Sequence, residues 1–463
     1  MQKGPRGRNV NKEELSFRDR PINLDDSGSR KWVYAKKPKG KWFRRRTIFS
    51  WFVLLFFIAV PFIKINGNPF ILLDIAGRKF ILFGAIFWAQ DTLILALLML
   101  SFIMFIILFT VTFGRLWCGW ACPQTIFLEM VFRKVEYLIE GDYRKRQALD
   151  KGPMTGEKVL KKSLKHLLFM LISLAMTNTF LLWFTGPEKW LELISQPISS
   201  NLSGFLIMLL VSAFFYWVYS WFREQICTMV CPYGRMQGVL LDSRSVVVSY
   251  DYKRGEPRGP KSEGDCIDCR QCIAVCPTAI DIRNGTQLEC INCTACIDQC
   301  NQVMLSTKKD PGLIRFDSEM GIREGHTSIW NARNRAYSVV LLILFSFFIY
   351  TLLSRPVIET TILRTPGLLY QENPDQSISN VYNIKIVNKT HETLPLEFRL
   401  LSHEGEIRMA GGKMVINDQS MFESTFILYL HRDQITSDRM EVEFGIYSNN
   451  EIIETYKASF VGP

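Results

Sequence analysis

Histidine is scarce in this chain, and no cysteine is followed by one. Only 5 histidines occur in 463 residues, and none of them completes a CxxCH motif. Covalent attachment of a c-type haem is therefore excluded. A GxGxxG motif after a predicted strand is also missing, so the sequence does not support a nicotinamide or flavin site of the Rossmann kind.

Cysteine is absent from residues 301–463 but abundant before them. All 12 cysteines precede residue 301, eight of them in two short runs and four in two further pairs. No cysteine is left over as an isolated core residue. Clusters of this kind favour metal ligation in a reducing compartment over disulfide formation.

Charged residues make up only 21% of the chain, because long apolar runs fill much of its first part. Hydrophobic residues account for 48% and aromatic residues for 13%, which is unusual for a soluble enzyme. Five runs are long enough to cross about 30 Å of hydrocarbon as helices. The predicted spans are residues 47–65, 89–113, 166–185, 204–222 and 336–354.

The distribution of basic residues between the spans predicts their orientation. Residues 1–46, 114–165 and 223–335 carry 15, 11 and 15 Lys and Arg residues, whereas 66–88 carries two and 186–203 carries one. Because basic loops stay on the cytoplasmic side, the N-terminus and the cysteine-rich loop are predicted to be cytoplasmic and the C-terminal tail to lie outside. Because the basic residues are explained by membrane orientation, the net charge of +11 does not indicate that the chain binds nucleic acid. The first 46 residues are interpreted as a disordered basic leader that contacts anionic lipid.

The tail after the last span changes to short alternating runs that are typical of strands. The runs "VYNIKIVN", "LPLEFRLLS", "SMFESTFILYL", "MEVEFGIYS" and "EIIETYKASFV" are separated by polar turns such as "NKTHET". About seven strands in roughly 100 residues predict an antiparallel sandwich over residues 360–463. Nothing in the tail resembles a catalytic motif.

Two nearly identical cysteine runs lie between the fourth and fifth predicted spans. They read "CIDCRQCIAVCP" and "CINCTACIDQC". Three thiolates spaced by three residues wrap one cubane, and the fourth serves the neighbouring cluster. A zinc site would not require two such triplets, each followed by a fourth cysteine. The spacing predicts two 4Fe-4S clusters, the first on Cys266, Cys269, Cys272 and Cys300 and the second on Cys276, Cys290, Cys293 and Cys296.

Two CxxxCP motifs, "GRLWCGWACPQT" and "REQICTMVCPYGR", follow the second and fourth predicted spans. If the local chain stays helical, the cysteines of each motif share one face, and the two pairs could meet as four sulfurs. Arg115, Arg223 and Arg235, if they are close in space, would favour thiolates, which are soft ligands that prefer Cu(I). The alternative is that these are small packing residues where prolines break the helices. The candidate redox or metal residues are Cys118, Cys122, Cys227 and Cys231.

Taken together, these features resemble the CcoG family, also called FixG or RdxA, of membrane iron-sulfur proteins. The resemblance covers nearly the whole chain and includes "CGWACPQT", "IEGDYRKR", "REQICTMVCPYGRMQ", "YDYKRGEPRGP" and "GLIRFDSEMG". We expect a multi-domain chain in which an α-helical polytopic membrane bundle of about five spans carries an inserted two-cluster bacterial ferredoxin-like domain and a C-terminal immunoglobulin-like β-sandwich. The expected divisions are a basic cytoplasmic leader at 1–46, membrane helices at 47–250, the ferredoxin-like domain at 251–325, the last span at 336–354 and the sandwich at 360–463.

The resemblance also implies a role in respiration, namely the assembly of cbb3-type cytochrome c oxidase. The protein would act as a cupric reductase that converts Cu(II) to Cu(I) for the copper centre of the oxidase. The eight clustered cysteines would relay electrons, and the four CxxxCP cysteines would be the catalytic or transient copper site. The expected partners are membrane lipid, oxidase subunits or copper chaperones, and an unidentified electron donor. The expected location is the bacterial inner membrane, with the C-terminal domain in the periplasm.

Two other functions remain open. Quinol dehydrogenase subunits of the NapH and NosR type also combine CxxxCP membrane helices with ferredoxin loops, and they pass electrons outward to respiratory reductases. Cysteine spacing does not tell in which direction electrons move. The second alternative is a non-catalytic assembly scaffold whose clusters are only structural. Retention of Cu(II) reduction after replacement of the CxxxCP cysteines would favour the scaffold.

Overall fold

The chain divides into two structural units between Phe348 and Ile349. The computed structural model describes residues 30–463 except 66, 76, 78, 89, 90, 357, 391, 410–413, 419, 449 and 450. The first unit contains every cysteine and all of the apolar helices except the end of the last one, which runs to Leu353, and the second unit is built mainly of strands.

Five helices in the described part of the chain are long and apolar enough to cross a membrane, which agrees with the predicted multi-pass arrangement. The first begins at Lys41 rather than at residue 47, so the basic stretch "KWFRRR" is helical. The third helix is interrupted at Gly186, where a φ of 75° and the following proline end the regular hydrogen bonding. The five are Lys41–Phe62, Thr92–Phe113, Gly156–Ser195, Leu202–Phe222 and Ala332–Leu353.

Short helices continue the chain from the second and fourth of these spans toward the cysteine-rich region. Three of the segments have π-helical hydrogen bonding, which often marks a functional site. The segments after the second span are Leu116–Trp120, Pro123–Ile126, Phe127–Phe132, Arg133–Ile139 and Tyr143–Lys151, and those at the end of the fourth are Val218–Phe222, Ile226–Val230 and Pro232–Leu240.

A small antiparallel sheet connects the first and second spans. Ile71–Asp74 pairs with Lys79–Leu82, which pairs in turn with Ala85–Trp88. A further two-residue pairing joins Lys64–Ile65 to Asn68–Pro69. The sequence analysis did not predict these strands, because runs of two to four residues carry too little alternation to be distinguished from a loop.

The ferredoxin-like region is closed by an antiparallel pair of strands, Val247–Tyr250 and Ile314–Asp317. It therefore starts a few residues before the expected boundary at residue 251. Two helices, Gln271–Ala274 and Ala295–Ser306, follow the two cysteine loops. Its apolar core contains Val248, Ile280, Ile282, Ile297 and Ile314. The remaining helices of this region are Tyr252–Gly255, Ile282–Asn284 and Glu319–Glu324.

Residues 30–40 form an extended strap, so the interpretation of this stretch as disordered leader is wrong. The Lys36 N–H donates to the Ala274 carbonyl at 2.8 Å, and the Lys37 N–H donates to Asp142 Oδ1 at 2.8 Å. The strap therefore joins the ferredoxin-like region to the loop between the second and third spans. These backbone hydrogen bonds explain why a basic, proline-containing stretch is ordered. The earlier part of the leader, residues 1–29, lies outside the described residues.

The first span is capped by a carboxylate from the ferredoxin-like region. Asp298 accepts hydrogen bonds from the Trp42 N–H at 3.1 Å and the Phe43 N–H at 2.7 Å, and so satisfies two of the free donors at the helix start. Gly40 lets the chain pass, because a Cβ there would collide with the Asp298 side chain.

Replacing Asp298 with Ala is expected to lower the free energy of unfolding by about 1 kcal/mol, the usual loss for an N-terminal helix cap. Asp298→Asn keeps one acceptor oxygen and is expected to lose less. Thermal unfolding of the detergent-solubilised protein measures the change. Asp310→Ala, at an exposed position of the same region, is the control. Equal stability of Asp298→Ala and the control would contradict the assigned cap.

The C-terminal unit is a sandwich of two antiparallel sheets, as expected. All five quoted runs are strands, and short additional strands occur between them. Tyr382 stacks on Phe426 with ring centroids 5.2 Å apart, and Phe444 and Phe398 complete the aromatic core. One sheet contains Ile358–Arg364, Gln371–Glu372, Ser377–Asn388, Gly405–Met409 and Met421–His431, and the other contains Leu394–Leu400, Met414–Ile416, Arg439–Ser448 and Glu451–Val461.

Candidate redox site

The eight clustered cysteines line two neighbouring cavities, and Cys272 borders both of them. Each cavity is otherwise walled mainly by apolar side chains. The donor set of each therefore suits a 4Fe-4S cluster, which takes four cysteine thiolates in a low-dielectric pocket. The first cavity is lined by Cys266, Cys269, Cys272 and Cys300, and the second by Cys276, Cys290, Cys293 and Cys296, and these groups are the two predicted ligand sets.

The two cysteine loops repeat the same backbone conformation. Asp268 and Asn292, which precede the second cysteine of each run, have φ of 55° and 52°. Arg270 and Thr294, which follow that cysteine, have φ of 54° and 65°. Short polar residues tolerate the left-handed region, whereas arginine and threonine adopt it only under constraint. Backbone strain at the same two places in both loops is typical of segments that hold a ligand.

Burial keeps the cluster-loop thiols protonated until a metal displaces the protons. It raises the pKa of Cys272, Cys290 and Cys300 to about 12 and that of Cys293 to about 11. Thiolate ligation at neutral pH therefore requires the positive charge of the bound irons.

The two CxxxCP motifs form a structural repeat. Each begins after a residue in the same uncommon conformation, Gly114 with φ 60° and ψ −143° and Arg223 with φ 53° and ψ −124°. In each motif the N–H of the second cysteine donates to the carbonyl five residues earlier, from Cys122 to Trp117 at 2.9 Å and from Cys231 to Ile226 at 2.8 Å. The repeat was visible in the sequence only as a shared spacing.

The second cysteine of each motif leaves the helix, contrary to the expectation that both cysteines share one helical face. Cys122 has a ψ of 122° and Cys231 a ψ of 110°, and each is the residue before a helix whose first residue is proline. Proline suits this first position because it has no N–H to lose and its φ is already helical. The prolines therefore start new helices as well as ending the previous ones.

The structure brings the two pairs together. Cys118 interacts electrostatically with Cys122 and Cys231, and Cys227 interacts with all three of the others. We call these residues, Cys118, Cys122, Cys227 and Cys231, the four-thiol group. In the described part of the chain, no three Cys, His, Asp or Glu side chains are arranged closely enough to hold a single metal ion.

Burial outweighs the nearby arginine, so the expectation that arginines favour thiolates here is wrong. Burial raises the pKa of Cys118 to about 11 and that of Cys227 to about 12, although the charge of Arg115 opposes both increases. Arg223 forms an ion pair with Glu136, and Arg235 is exposed. The Cys118 thiol instead donates to Gln237 Oε1 at 2.9 Å.

Arg223 belongs to a buried ion-pair network beside the four-thiol group. Its guanidinium donates to both oxygens of Glu136, at 2.5 and 2.9 Å, and Arg146 donates to the same carboxylate at 2.6 Å. Burial acts to raise the pKa of Glu136, but these arginines and Lys165 lower it to about 2. The network holds the strained Arg223 backbone at the start of the second CxxxCP motif.

The first CxxxCP motif lies directly against the loop of the second cluster. A Cβ on Gly119 would collide with the Ile291 carbonyl and lie 3.2 Å from the Cys293 nitrogen, so only glycine allows this approach. The Trp120 Nε1–H donates to the Asn292 carbonyl at 3.2 Å. Cys118 and Cys293 consequently share one buried apolar cluster with Ile291. We call this contact the junction.

Several residues of the site were missed by the sequence analysis. Arg46 donates from Nε to the Gly119 carbonyl at 2.7 Å, but it stands in a basic stretch that was interpreted only as a determinant of orientation. Gln237 carried no sequence signal. Gly119 and Trp120 lie inside the quoted motif, yet their contacts are with residues about 170 positions later.

Models of known families match all three parts of the chain. A 4Fe-4S dicluster domain matches residues 222–263 and 256–319, and a 4Fe-4S binding domain matches residues 95–146, which contain the first CxxxCP motif. The family described as an IG-like fold at the C-terminal of FixG, putative oxidoreductase, matches residues 348–463. The iron-sulfur and immunoglobulin-like parts of the predicted fold are confirmed.

Three curated relatives are similar over long stretches. Protein RdxA of Cereibacter sphaeroides is 33% identical over 364 residues, which are 74% of this chain and 77% of that protein. Protein RdxB of the same organism is 34% identical over 400 residues, 80% of this chain and 82% of that protein. Nitrogen fixation protein FixG of Rhizobium meliloti is 36% identical over 311 residues, 62% of this chain and 57% of that protein. The match to FixG thus spans a little over half of its length.

Proposed function

Because this chain belongs to the FixG, RdxA and CcoG family of membrane iron-sulfur proteins, we propose that it is a cupric reductase that supplies Cu(I) for assembly of a cbb3-type cytochrome c oxidase. Iron-sulfur redox chemistry in a multi-pass membrane protein is the premise. The proposal adds to this premise that the electron acceptor is Cu(II) and that the Cu(I) formed is used in assembly of the oxidase. The junction between Cys118 and the second cysteine loop is the observation that carries it, because it brings Cys118 of the four-thiol group against the loop that would hold one of the two clusters.

Three groups of residues have separate roles in the proposed reaction. The two predicted ligand sets would hold the clusters, which supply single electrons when bound. The junction keeps Cys118 against the loop of Cys293 and excludes water from the contact. The four-thiol group offers soft sulfur ligands, which prefer Cu(I) to Cu(II) and so favour the reduced product. One electron is consumed for each Cu(II) ion that becomes Cu(I).

Orientation and partners form part of the same proposal. The ferredoxin-like domain would face the cytoplasm of a bacterial inner membrane, where a reduced electron carrier could reach it, and the C-terminal domain would face the periplasm. The alternation of basic loops supports this arrangement. The C-terminal sandwich would contact oxidase subunits or copper chaperones.

Replacing Cys118 or Cys231 with Ser is expected to reduce the rate of Cu(II) reduction at least tenfold while the iron content stays at about eight per chain, the amount in two 4Fe-4S clusters. The rate is measured anaerobically on dithionite-reduced, desalted protein with a Cu(I)-specific chelator. Iron and acid-labile sulfide are measured on the same samples. Met229→Leu, a volume-conserving change between the two cysteines of the second motif, is the matched control.

The other outcomes identify the competing functions. Undiminished Cu(II) reduction in both serine variants would reject the four-thiol group as the copper site and would favour the scaffold. Rapid reduction of the clusters by a quinol analogue, without Cu(II) turnover, would favour a quinol dehydrogenase subunit. About twelve irons in the parent protein and about eight in the serine variants would show that the four-thiol group holds a third cluster.

A further inference from the structure

The two cysteine cavities differ in whether the arginines near them are paired with acids. At the first cavity, Arg283 lies near Cys272 but forms ion pairs with Asp268 and with Asp281, the latter at 2.7 Å. Arg254, which lies near Cys300, is paired with a carboxylate in the same way. The positive charges around this cavity are therefore largely neutralised by neighbouring acids.

Two arginines near the ligands of the second cavity are buried and have no carboxylate partner among the described residues. Arg46 is 2% exposed and interacts electrostatically with Cys293. Its Nε donates to the Gly119 carbonyl, and its Nη2 has no hydrogen-bond partner within the described residues. In the same part of the chain, no ion pair joins Arg46 to an acid. Because no described acid pairs with Arg46, its positive charge is not neutralised where it acts on Cys293 of the second cavity.

Arg115 adds a second such charge. It is 3% exposed and lines a small cavity together with Cys290. The Arg115 Nε donates to Gln237 Oε1 at 3.3 Å, and its Nη1 donates to the Leu288 carbonyl. Both acceptors are neutral. Like Arg46, it forms no ion pair with an acid among the described residues.

The acids near the second cavity do not cancel these charges. Glu129, which interacts with Cys293, forms an ion pair with Arg133 at 2.8 Å. The surroundings of the second cavity are thus more positive than those of the first.

We propose that Arg46 and Arg115 raise the reduction potential of the cluster in the second cavity above that of the first, which makes the second cluster the station from which electrons leave. A cluster gains one negative charge when it is reduced, so a nearby buried cation stabilises the reduced form. Such an interaction is much stronger in the low-dielectric interior than in water. Burial alone would have the opposite effect, and the two unpaired guanidinium groups offset it.

The direction of transfer follows from this order of potentials. The first cavity lies at the surface, where Cys269 is exposed, so a soluble reduced flavoprotein or ferredoxin could deliver one electron there. That electron leaves the first cluster, which is oxidised, and enters the second, which is reduced, without any change in bonds or protons. The loop that would hold the second cluster adjoins the junction. The inference rests on the proposed electron relay but not on the identity of copper as the acceptor.

A redox titration of the full-length protein, followed by electron paramagnetic resonance, tests the assignment. We expect two one-electron components, and we expect Arg46→Gln to shift only the higher one, by about 59 mV or more to the negative side, which is a tenfold change in its reduction equilibrium. Arg46→Lys keeps the charge and is expected to restore most of the potential, which a merely structural role of Arg46 would not do. Lys261→Gln, at an exposed side chain of the same region that lines neither cysteine cavity, is the matched control and should move neither component.

A shift of the lower component, or no shift in either, overturns the inference. If Arg46→Gln protein loses its iron, Arg115→Gln decides by the same criterion. Failure here is distinguishable from failure of the proposed function, because no copper is present in the titration. A shifted potential without Cu(II) reduction removes the copper function alone, and Cu(II) reduction without a shifted potential removes this inference alone.

Discussion

Replacing Glu136 with Gln is expected to lower the free energy of unfolding by about 3–5 kcal/mol, which is the usual result of breaking a buried ion pair. Glu136 is 2% exposed and accepts hydrogen bonds from both Arg223 and Arg146. A neutral amide would leave buried Arg146 without its ion-pair partner among the described residues, and would leave buried Arg223 with only the more distant Glu224 at 3.9 Å. Thermal unfolding of the detergent-solubilised protein measures the loss.

The ion pairs of Glu136 with Arg223 and Arg146 also predict how the free energy of unfolding depends on pH. Because the pKa of Glu136 is lowered to about 2 from an ordinary value of 4.5, its contribution is complete above about pH 5 and is lost as the pH falls toward 2. The parent protein should therefore lose stability between pH 5 and pH 3, and Glu136→Gln should lose less. Glu157→Gln, at an exposed i,i+4 pair with Lys161, is the control and should behave like the parent. Equal stability of the two variants would contradict the assigned network.

Replacing Gly119 with Ala is expected to cost about 1–3 kcal/mol, as overpacking of a close contact does, and to slow Cu(II) reduction while both clusters are retained. The added Cβ cannot coexist with the Ile291 carbonyl, so the first CxxxCP motif must move away from the second cluster loop. None of the predicted cluster ligands is altered. Stability, iron content and the rate of Cu(II) reduction are measured on one preparation.

Gly156→Ala is the matched control for this prediction. Nothing lies within 4 Å of a Cβ at Gly156, and alanine favours the helix that begins there. The control should therefore match or exceed the parent in stability and keep its activity. Parent-like Cu(II) reduction in Gly119→Ala would show that the junction is not on the route of the electron.

Local signals in the sequence were sufficient for the spans and for the five long strands of the tail, and they also led to the predicted cluster ligands. Five apolar runs were found because the hydrocarbon thickness sets their length. The ligand sets around the two cavities could be predicted from Cys266 onward because a cubane determines the spacing of its ligands within one loop. The five quoted runs of the tail are strands because each alternates within a few residues.

Long-range contacts could not be predicted in this way. The strap at residues 30–40 has the composition of a leader and is ordered only because Ala274 and Asp142 offer it hydrogen-bonding partners. The prediction that Cys118 and Cys227 are thiolates was wrong. It relied on arginines that are near in sequence, whereas burial, which raises the pKa of both thiols, is decided by the tertiary structure. Extrapolating the helix through Cys122 failed because the proline that follows starts a new helix there.

By itself the sequence determined which cysteines occur in cluster-like spacings, how many apolar helices the chain has and which family it resembles, since each of these depends on residues near one another in the chain. Only the tertiary structure decided that Cys118 lies against the loop of Cys293, that burial raises the pKa of the Cys118 thiol, and that Arg46 lies near Cys293 without an acid partner among the described residues. Packing, burial and unpaired charge depend on residues that are distant in sequence, so spacing alone does not encode them.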